Sequence, residues 1–377
     1  MNMMFKSVNW MQGMSVSSSH FIATENFLME RMMLNTATLQ DKFAYGLLPA
    51  DEKDESANQM QIKVEGKGDG TRIVLVSYRG ITPGGCFVNI DPSQPVVCEF
   101  GSETDLAEYG WDIVLSVSPF ERRPCGKPDM MENPPRYPFV DPVYKLSVIE
   151  RDKERVNDYG PFDVVVGLLR KKDGEFKLDN EYIAPSLTMS SDSRLRKYMD
   201  CFSQELTVIK SALSVVVSKS NSSHDNKSAV LENTLVFCRE IQRSMANMDY
   251  RWNSYGLSLS PYQVAELFGG IANTAMMSLS FMLKTEKVEM LKYFYEWNGT
   301  SPSAFEEVLD DVASRMYCHN RIVDSMGYIH KMLKMLEDLM IALSKLDYVG
   351  QRKESMVISV TSVKEGVEQG RRSSWML

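Results

Sequence analysis

The feature that most constrains the fold is a change in the spacing of apolar residues near residue 190. Before it, short runs such as 60–66, 71–80 and 112–120 are alternating or β-branched, which is typical of strands. After it, apolar residues recur in steps of four and three, which is typical of helices that pack along a seam. The change predicts an α+β protein, in which an N-terminal β-sandwich-like domain is followed by an antiparallel helical bundle.

Two helical segments carry such a seam over three heptads. The first consists of Leu195, Met199, Phe202, Leu206, Ile209, Leu213 and Val216. The second consists of Ile322, Met326, Ile329, Leu333, Leu336, Met340 and Leu343. We expect the first seam to contact another copy of the chain, with a partner helix of the same chain as the alternative, because a seam alone does not fix the number of chains.

Turn and cap residues place the boundaries of these regions. We expect a β-rich domain over residues 1–188, a helical bundle over 189–350 and a short tail over 351–377. Inside the first region, a strand-like start precedes one helix over 25–40. The proline-rich stretch 122–142 is predicted to be a long surface loop, because proline cannot sit in a central strand. A hairpin is expected at Lys172-Asp173-Gly174.

Two further helices are expected at 229–248 and 261–283, separated by a connector at 250–261. The residue pair Ser301-Pro302 is expected to open one last long helix that ends at Gly350, because serine caps helices and proline suits their first turn.

The charge and the cysteines exclude several classes of protein. The chain has 42 Lys and Arg against 50 Asp and Glu, a net charge of −8, and no basic block. It is therefore a poor candidate for binding nucleic acid or an anionic membrane. It has no apolar run of about 18 residues and no signal-peptide pattern, so a cytoplasmic protein is expected. Its six cysteines form no CxxC motif, which favours reduced thiols.

The sequence shows no catalytic constellation. Motifs of the GxSxG, HExxH, phosphate-loop and dinucleotide-binding kinds are absent. His319 and His330 lie eleven residues apart, about 16 Å along a helix, which is too far for one metal ion. We therefore predict no enzymatic activity, no catalytic residues, no cofactor and no metal site.

The N-terminal stretch VNWMQGMSVSSSHF, residues 8–21, is unusually rich in large side chains for a chain terminus. Trp10, Met14 and Phe21 fit core residues of a first strand, on which Trp10 and Met14 would share a face. Gly13 permits a turn or a close backbone approach. His20, after three serines, is expected to form local hydrogen bonds.

The same residues resemble the N-terminal signature of the TssK family, baseplate components of bacterial type VI secretion systems. Trp10, Gly13-Met14 and His20-Phe21 match the signature, whereas Ser18-Ser19 stands where the family has Pro-Gln. Later segments resemble family motifs in the same order, over about residues 8 to 283. These segments are YGLLPAD (45–51), RGITPGGCFVNI (79–90), DNEYIAPSLTMSSDSRL (179–195) and LSPYQVAELFGGIANTAMMSL (259–279).

The resemblance implies a homotrimeric structural adaptor of a contractile injection system, located in the cytoplasm at the inner face of the inner membrane. It implies a shell domain like the shoulder of a phage receptor-binding protein, which binds the wedge proteins TssF and TssG, followed by a helical neck. We therefore interpret the five signature residues as wedge-binding candidates: Trp10, Gly13, Met14, His20 and Phe21. The alternative that remains open is a phage or tail-fibre-like receptor-binding protein.

The C-terminal end departs from the family pattern. TssK proteins carry a foot domain that docks on the membrane complex, and residues 351–377 are short for one. We expect a variant without the full foot, as would suit the divergent type VI systems of Bacteroidetes. The membrane-complex-docking candidates are then the apolar residues in the last part of the chain: Trp375, Met376 and Leu377.

Overall fold

The computed structural model describes residues 4–39, 41–49, 60–67, 70–101, 109–152, 159–172, 174–221 and 228–350. After one N-terminal helix, strands precede helices in this α+β chain, as predicted. The strands are β1 (Gly46–Leu47), β2 (Gln61–Lys67), β3 (Gly70–Ile81), β4 (Phe87–Ile90), β5 (Val96–Gly101), β6 (Trp111–Cys125), β7 (Phe139–Glu150), β8 (Asp163–Lys172) and β9 (Glu175–Leu178). The longer helices are α1 (Ser18–Leu39), α2 (Ser193–Asn221), α3 (Ala229–Tyr255), α4 (Pro261–Ser280), α5 (Lys284–Asn298), α6 (Pro302–Ala313) and α7 (Ile322–Ser344). Among the described helices, none combines the length and apolar character needed to cross a membrane.

The chain divides into two compact units. The first unit comprises residues 1–197 together with two short segments, 257–263 and 317–323. The second comprises 198–256, 264–316 and 324–377. Backbone bonds hold the first short segment in its unit, since Met189 N–H donates to the Leu259 carbonyl at 2.8 Å. No pattern in the sequence indicates these two segments, and the expected boundaries at residues 188 and 350 stay predictions.

The first unit contains two antiparallel sheets. In one sheet, β3 pairs with β1, β2, β4 and β5, and in the other the strand order is β7-β6-β8-β9. Ile73 and Leu75 from the first sheet and Ile113 and Val164 from the second belong to one buried cluster. The hairpin predicted at residues 172–174 is confirmed, because Lys172 of β8 pairs with Glu175 of β9.

The proline-rich stretch is only partly a loop. Its ends continue β6 and β7, where Pro124 pairs with Val140 and Arg122 with Pro142. The prediction of a loop over all of 122–142 was therefore wrong at both ends. Prolines are tolerated there because β8 pairs with β6 only at residues 111–116, so Pro124 has no further ladder to complete among the described strands. Pro142 lies on the edge strand of the sheet.

The chain start also differs from the prediction. Residues 4–17 form neither a strand nor a helix, and α1 begins at Ser18 rather than near residue 25. The expected strand alternation of Trp10 and Met14 was therefore wrong. The buried face of α1 carries Asn26, Glu30 and Met33. Two of these three are polar, which explains why apolar periodicity alone placed the start of the helix too late.

Most of the helical residues lie in the second unit. The two predicted seams are buried, and every one of their residues is at most 6% exposed in the single chain. The predicted last helix is interrupted, because α6 ends at Ala313 and α7 begins at Ile322. The start at Ser301-Pro302 is as expected, with the Ser301 hydroxyl accepting from Ala304 N–H. The connector predicted from residue 250 is shorter, since α3 continues to Tyr255.

Candidate interaction surface

The N-terminal signature residues form an exposed aromatic group. Trp10 is 50% exposed and Phe21 is 58% exposed, and their ring centroids lie 6.2 Å apart. The His20 ring lies 6.0 Å from Trp10. The interpretation of Trp10 and Phe21 as core residues is therefore wrong. Met14, which lies between Trp10 and His20 in the sequence, is half-buried.

His20 and Gly13 shape the backbone around these rings. His20 Nδ1 accepts the Ser17 N–H at 3.1 Å, and the His20 N–H donates to the Ser17 carbonyl at 3.1 Å. These bonds fix the start of α1 and confirm the predicted local role of His20. Gly13 has a φ of +78° in a turn closed by Met14 N–H and the Met11 carbonyl. The structure therefore supports the turn role of Gly13, and a Cβ there would meet no atom within 4 Å.

Polar contacts tie this segment to the first unit. The Glu30 carboxylate accepts the N–H groups of Met4 at 2.7 Å and Phe5 at 3.0 Å. These two hydrogen bonds lower the pKa of the Glu30 carboxyl below its usual value, because they favour the charged form. The Phe5 ring lies 4.6 Å from Phe120 on β6. The segment is thus attached through Met4 and Phe5, while Trp10 and Phe21 stay half or more exposed.

The side chain of Arg122 extends the same attachment to α1. Arg122 on β6 donates to Glu25 at 2.7 Å and to Asn26 at 3.0 Å. Charged and amide side chains on one face of α1 therefore hold this helix against the sheet. A fixed helix can present its opposite face in a defined orientation.

The opposite side of α1 carries three exposed apolar residues. Phe21, Leu28 and Met32 are all exposed, and their spacing of seven and four residues places them on one side of the helix. We call Trp10, Phe21, Leu28 and Met32 the N-terminal apolar surface. Clusters of exposed apolar side chains are a feature of interaction sites. Sequence reasoning missed Leu28 and Met32, although the same spacing was readable in the sequence.

A second exposed apolar region lies at the tip of the β6–β7 ribbon. Met130, Met131 and Phe139 are strongly exposed there. Arg136 donates to both carboxylate oxygens of Glu132, at 2.7 and 2.8 Å, and so shapes the turn. This tip is a further candidate contact in the first unit.

The residues of the predicted oligomer seam do not join these surfaces. The seven residues of the first seam, including Leu206 and Ile209, are buried in the single chain. This burial favours the alternative of a partner helix in the same chain, and a role in an oligomer stays a prediction. Trp375, Met376 and Leu377 lie outside the described residues.

Two buried polar groups of the first unit were not foreseen. The Asp112 carboxylate accepts from Arg151 Nε and from the Tyr159 hydroxyl, both at 2.7 Å, and Arg151 also donates to the Asn320 carbonyl at 3.3 Å. His319 is fully buried between the Tyr317 hydroxyl at 2.8 Å and the Tyr45 carbonyl at 3.0 Å.

These contacts satisfy the groups within the unit. Burial lowers the pKa of His319 to about 4, so this imidazole is neutral at pH 7. A neutral, doubly hydrogen-bonded histidine and a buried ion pair of this kind serve the fold, because their polar atoms are paired.

Comparison with known proteins gives no match to any family model and none to a curated protein. Solved structures do match. A crystal structure of TssK is 14% identical, with a TM-score of 0.50, and the match covers 88% of this chain and 69% of that one. TssK from the type VI secretion system of EAEC, in complex with a nanobody, is 12% identical, with a TM-score of 0.47 and coverage of 82% and 67%.

A chain of a type VI secretion TssK-TssF-TssG baseplate subcomplex is 13% identical, with a TM-score of 0.48 and coverage of 89% and 99%. The match to the TssK crystal structure shows that this chain has a TssK-like fold, which confirms the fold implied by the sequence resemblance.

Proposed function

We propose that this chain is a structural component of a type VI secretion baseplate, which links wedge proteins of the TssF and TssG kind to the membrane-associated complex. The proposal has two independent supports. One is the TssK-like fold over 88% of the chain. The other is the N-terminal signature, whose residues carry the sequence resemblance. The role is one of assembly rather than catalysis, at the cytoplasmic face of the inner membrane.

The observation that carries the proposal is the exposure of the signature aromatics. Trp10 and Phe21 keep half or more of their surface open to solvent although both are large and apolar. Burying such rings in a partner supplies much of the free energy of a typical interface, because aromatic residues are the usual anchors. The Glu30 and Arg122 contacts hold the segment in place beforehand, which reduces the entropy lost on binding.

The direct test is co-purification with wedge proteins. The chain and the TssF and TssG homologues of the same system would be co-expressed, with the tag on TssG. We expect a stable complex that contains this chain. A folded chain that fails to co-purify, and that instead binds whole cells or surface saccharides, would overturn the proposal in favour of a receptor-binding protein.

The proposal includes a homotrimer, and Leu206 tests how the chains meet. Leu206 is 2% exposed in the single chain, so an aspartate there would place a carboxylate in an apolar interior, which costs several kcal/mol. We expect Leu206→Asp to unfold the helical unit, as measured by circular dichroism. If the variant stays folded but dissociates in light scattering, the seam contacts another chain. A folded and still trimeric variant would contradict both interpretations.

We propose that this chain docks on the membrane complex through three apolar residues, Trp375, Met376 and Leu377. The support is compositional, since a tryptophan follows the polar residues of RRSSWML. Deletion of residues 371–377 is expected to abolish secretion while the wedge complex still forms. Normal secretion by the deletion variant would contradict this part of the proposal.

A further inference from the structure

A cysteine, a glutamate and a histidine meet between two helices of the second unit. Cys201 and Glu205 lie one turn apart on α2, and His330 lies on α7. Their ligand atoms all lie within 4.8 Å of one another. The Cys201 Sγ lies 3.6 Å from His330 Nδ1, and Glu205 Oε1 lies 2.9 Å from the same nitrogen.

These distances are close to those of a tetrahedral zinc site. Zinc bonds of about 2.0 Å to nitrogen and oxygen and about 2.3 Å to sulfur imply separations of about 3.5 Å for S···N and about 3.3 Å for N···O. The observed S···N distance of 3.6 Å fits without movement. The observed N···O distance of 2.9 Å would open by a few tenths of an ångström, which side-chain rotation can supply.

The buried carboxylate gives a second and independent observation. The side chain of Glu205 is only 7% exposed, and its Oε2 atom receives no hydrogen bond from any residue that the structure describes. A buried carboxylate oxygen without a partner is costly. A cation beside Oε1 and Oε2 would compensate that oxygen.

Access and charge also fit a cation. His330 is 47% exposed, so an ion can reach the group from solvent. With Cys201 as a thiolate and Glu205 ionised, the ligand set carries two negative charges, which a divalent cation neutralises. Thiolate and imidazole ligands favour zinc-class ions over magnesium or calcium, because these ligands are soft or intermediate rather than hard.

We propose that Cys201, Glu205 and His330 bind a zinc-class divalent cation, with one water molecule as the fourth ligand. Binding forms the metal–sulfur, metal–oxygen and metal–nitrogen bonds and releases the Cys201 thiol proton to solvent, while His330, which binds through Nδ1, keeps its remaining proton on Nε2. The bound ion joins α2 to α7 and thereby stabilises the second unit. Facing ligands from neighbouring helices, with two of them a turn apart, are a common way of building metal sites in bundles.

In the absence of a cation, the surroundings disfavour the charged forms of both acidic ligands. Burial, followed by the charge of Glu205, raises the pKa of the Cys201 thiol. Burial also raises the pKa of the Glu205 carboxyl, although His330 acts in the opposite direction. A divalent cation reverses both shifts, because it favours the thiolate and the carboxylate.

Cobalt is the probe, because Co²⁺ occupies zinc sites and absorbs visible light. Untagged full-length chain would be titrated with Co²⁺ under reducing conditions. We expect one equivalent to give a thiolate-to-cobalt charge-transfer band in the near ultraviolet and the intense visible bands of a tetrahedral ion. Zn²⁺ should displace the cobalt and raise the melting temperature. Absence of the bands in folded protein would overturn the proposal.

Variants assign the ligands. Cys201→Ser should lose the charge-transfer band, and Glu205→Gln and His330→Gln should each weaken binding by about tenfold or more. Cys125→Ser is the matched control, since Cys125 is also half-buried but lies in the first unit, and it should keep both bands. If Cys201→Ser binds cobalt with an unchanged spectrum, the site is wrong. If Cys201→Ser does not fold, unchanged cobalt affinity in Glu205→Gln and His330→Gln would also contradict the proposal.

Discussion

Two aromatic groups in the first unit contain similar residues and have opposite surroundings. In one, the ring of Trp10 lies beside those of His20 and Phe21, and Trp10 and Phe21 remain half or more exposed. In the other, Tyr45 and Tyr317 enclose His319, which is fully buried. The difference shows that residue type alone does not separate a folding element from a docking surface; the hydrogen-bond partners and the exposure do.

Tyr317 and His319 of the buried group lie in the segment 317–323, which returns to the first unit from the helical part of the chain. Its polar atoms are paired with distant residues, as His319 is with Tyr45 and Asn320 with Arg151. The His20 side chain of the exposed group instead bonds only a few residues away, to Ser17, and the rings of Trp10 and Phe21 stay half or more exposed. We therefore expect changes in the buried group to alter folding and changes in the exposed group to alter binding.

The largest effect is expected at the buried ion pair. Asp112→Ala leaves Arg151, which is only 8% exposed, without its carboxylate, and should lower the free energy of unfolding by about 3–5 kcal/mol. Urea unfolding measures the change. Glu132→Ala is the control, because it removes a carboxylate from the exposed pair with Arg136 and should cost less than about 1 kcal/mol. If Asp112→Ala and Glu132→Ala lowered the free energy of unfolding equally, the assignment of the buried ion pair to folding would be contradicted.

A smaller effect is expected from acid. His319 is neutral in the fold with a pKa of about 4, against 6.5 when unfolded, so the unfolded chain takes up its proton first as the pH falls. The contribution of the neutral form is complete above about pH 6.5 and is lost towards pH 4, by about 2 kcal/mol at pH 5. His319→Gln should be less stable at pH 7 and should lose this part of the pH dependence. An unchanged slope between pH 7 and 4 would show that His319 is not protonated on unfolding.

A still smaller effect on folding is expected at the turn of the exposed group. Gly13→Ala forces an L residue into a φ of +78° and should cost about 1 kcal/mol locally, seen as faster hydrogen exchange in residues 11–17. Gly270→Ala is the matched control, because a methyl group added to that helical glycine would also meet no atom within 4 Å. Alanine there should stabilise α4 by up to about 1 kcal/mol. If Gly13→Ala and Gly270→Ala changed stability in the same direction, the turn role of Gly13 would be contradicted.

The sequence predicted those parts of the fold that depend on local spacing. The helical seams follow from their period, as Leu206 and Leu333 show, and both are buried as the period requires. The start of α1 was missed because its buried face is polar at Asn26 and Glu30. Such a face is recognisable only when its partner, Arg122, is known from the folded chain.

The candidate sites could not be predicted from local spacing, because they depend on contacts between residues that are distant in sequence. Cys201 and His330 are 129 residues apart, so only the pairing of α2 with α7 brings them together. His319 and His330 were the wrong pair to consider for a shared metal ion, because His319 belongs to the first unit. The signature at Trp10 was found by resemblance, whereas its exposure follows only from the structure.

The most direct test of the central claim is Trp10→Ala in the purified complex with the TssF and TssG homologues. Trp10 is half exposed, so its removal should leave the melting temperature nearly unchanged and weaken wedge binding by about 30-fold, the loss of about 2 kcal/mol typical of an anchor residue. Tyr250→Ala, an exposed aromatic of the second unit, is the control and should bind as the wild type does. A large drop in melting temperature with full wedge binding would contradict the account and would make the N-terminal apolar surface part of the folding core.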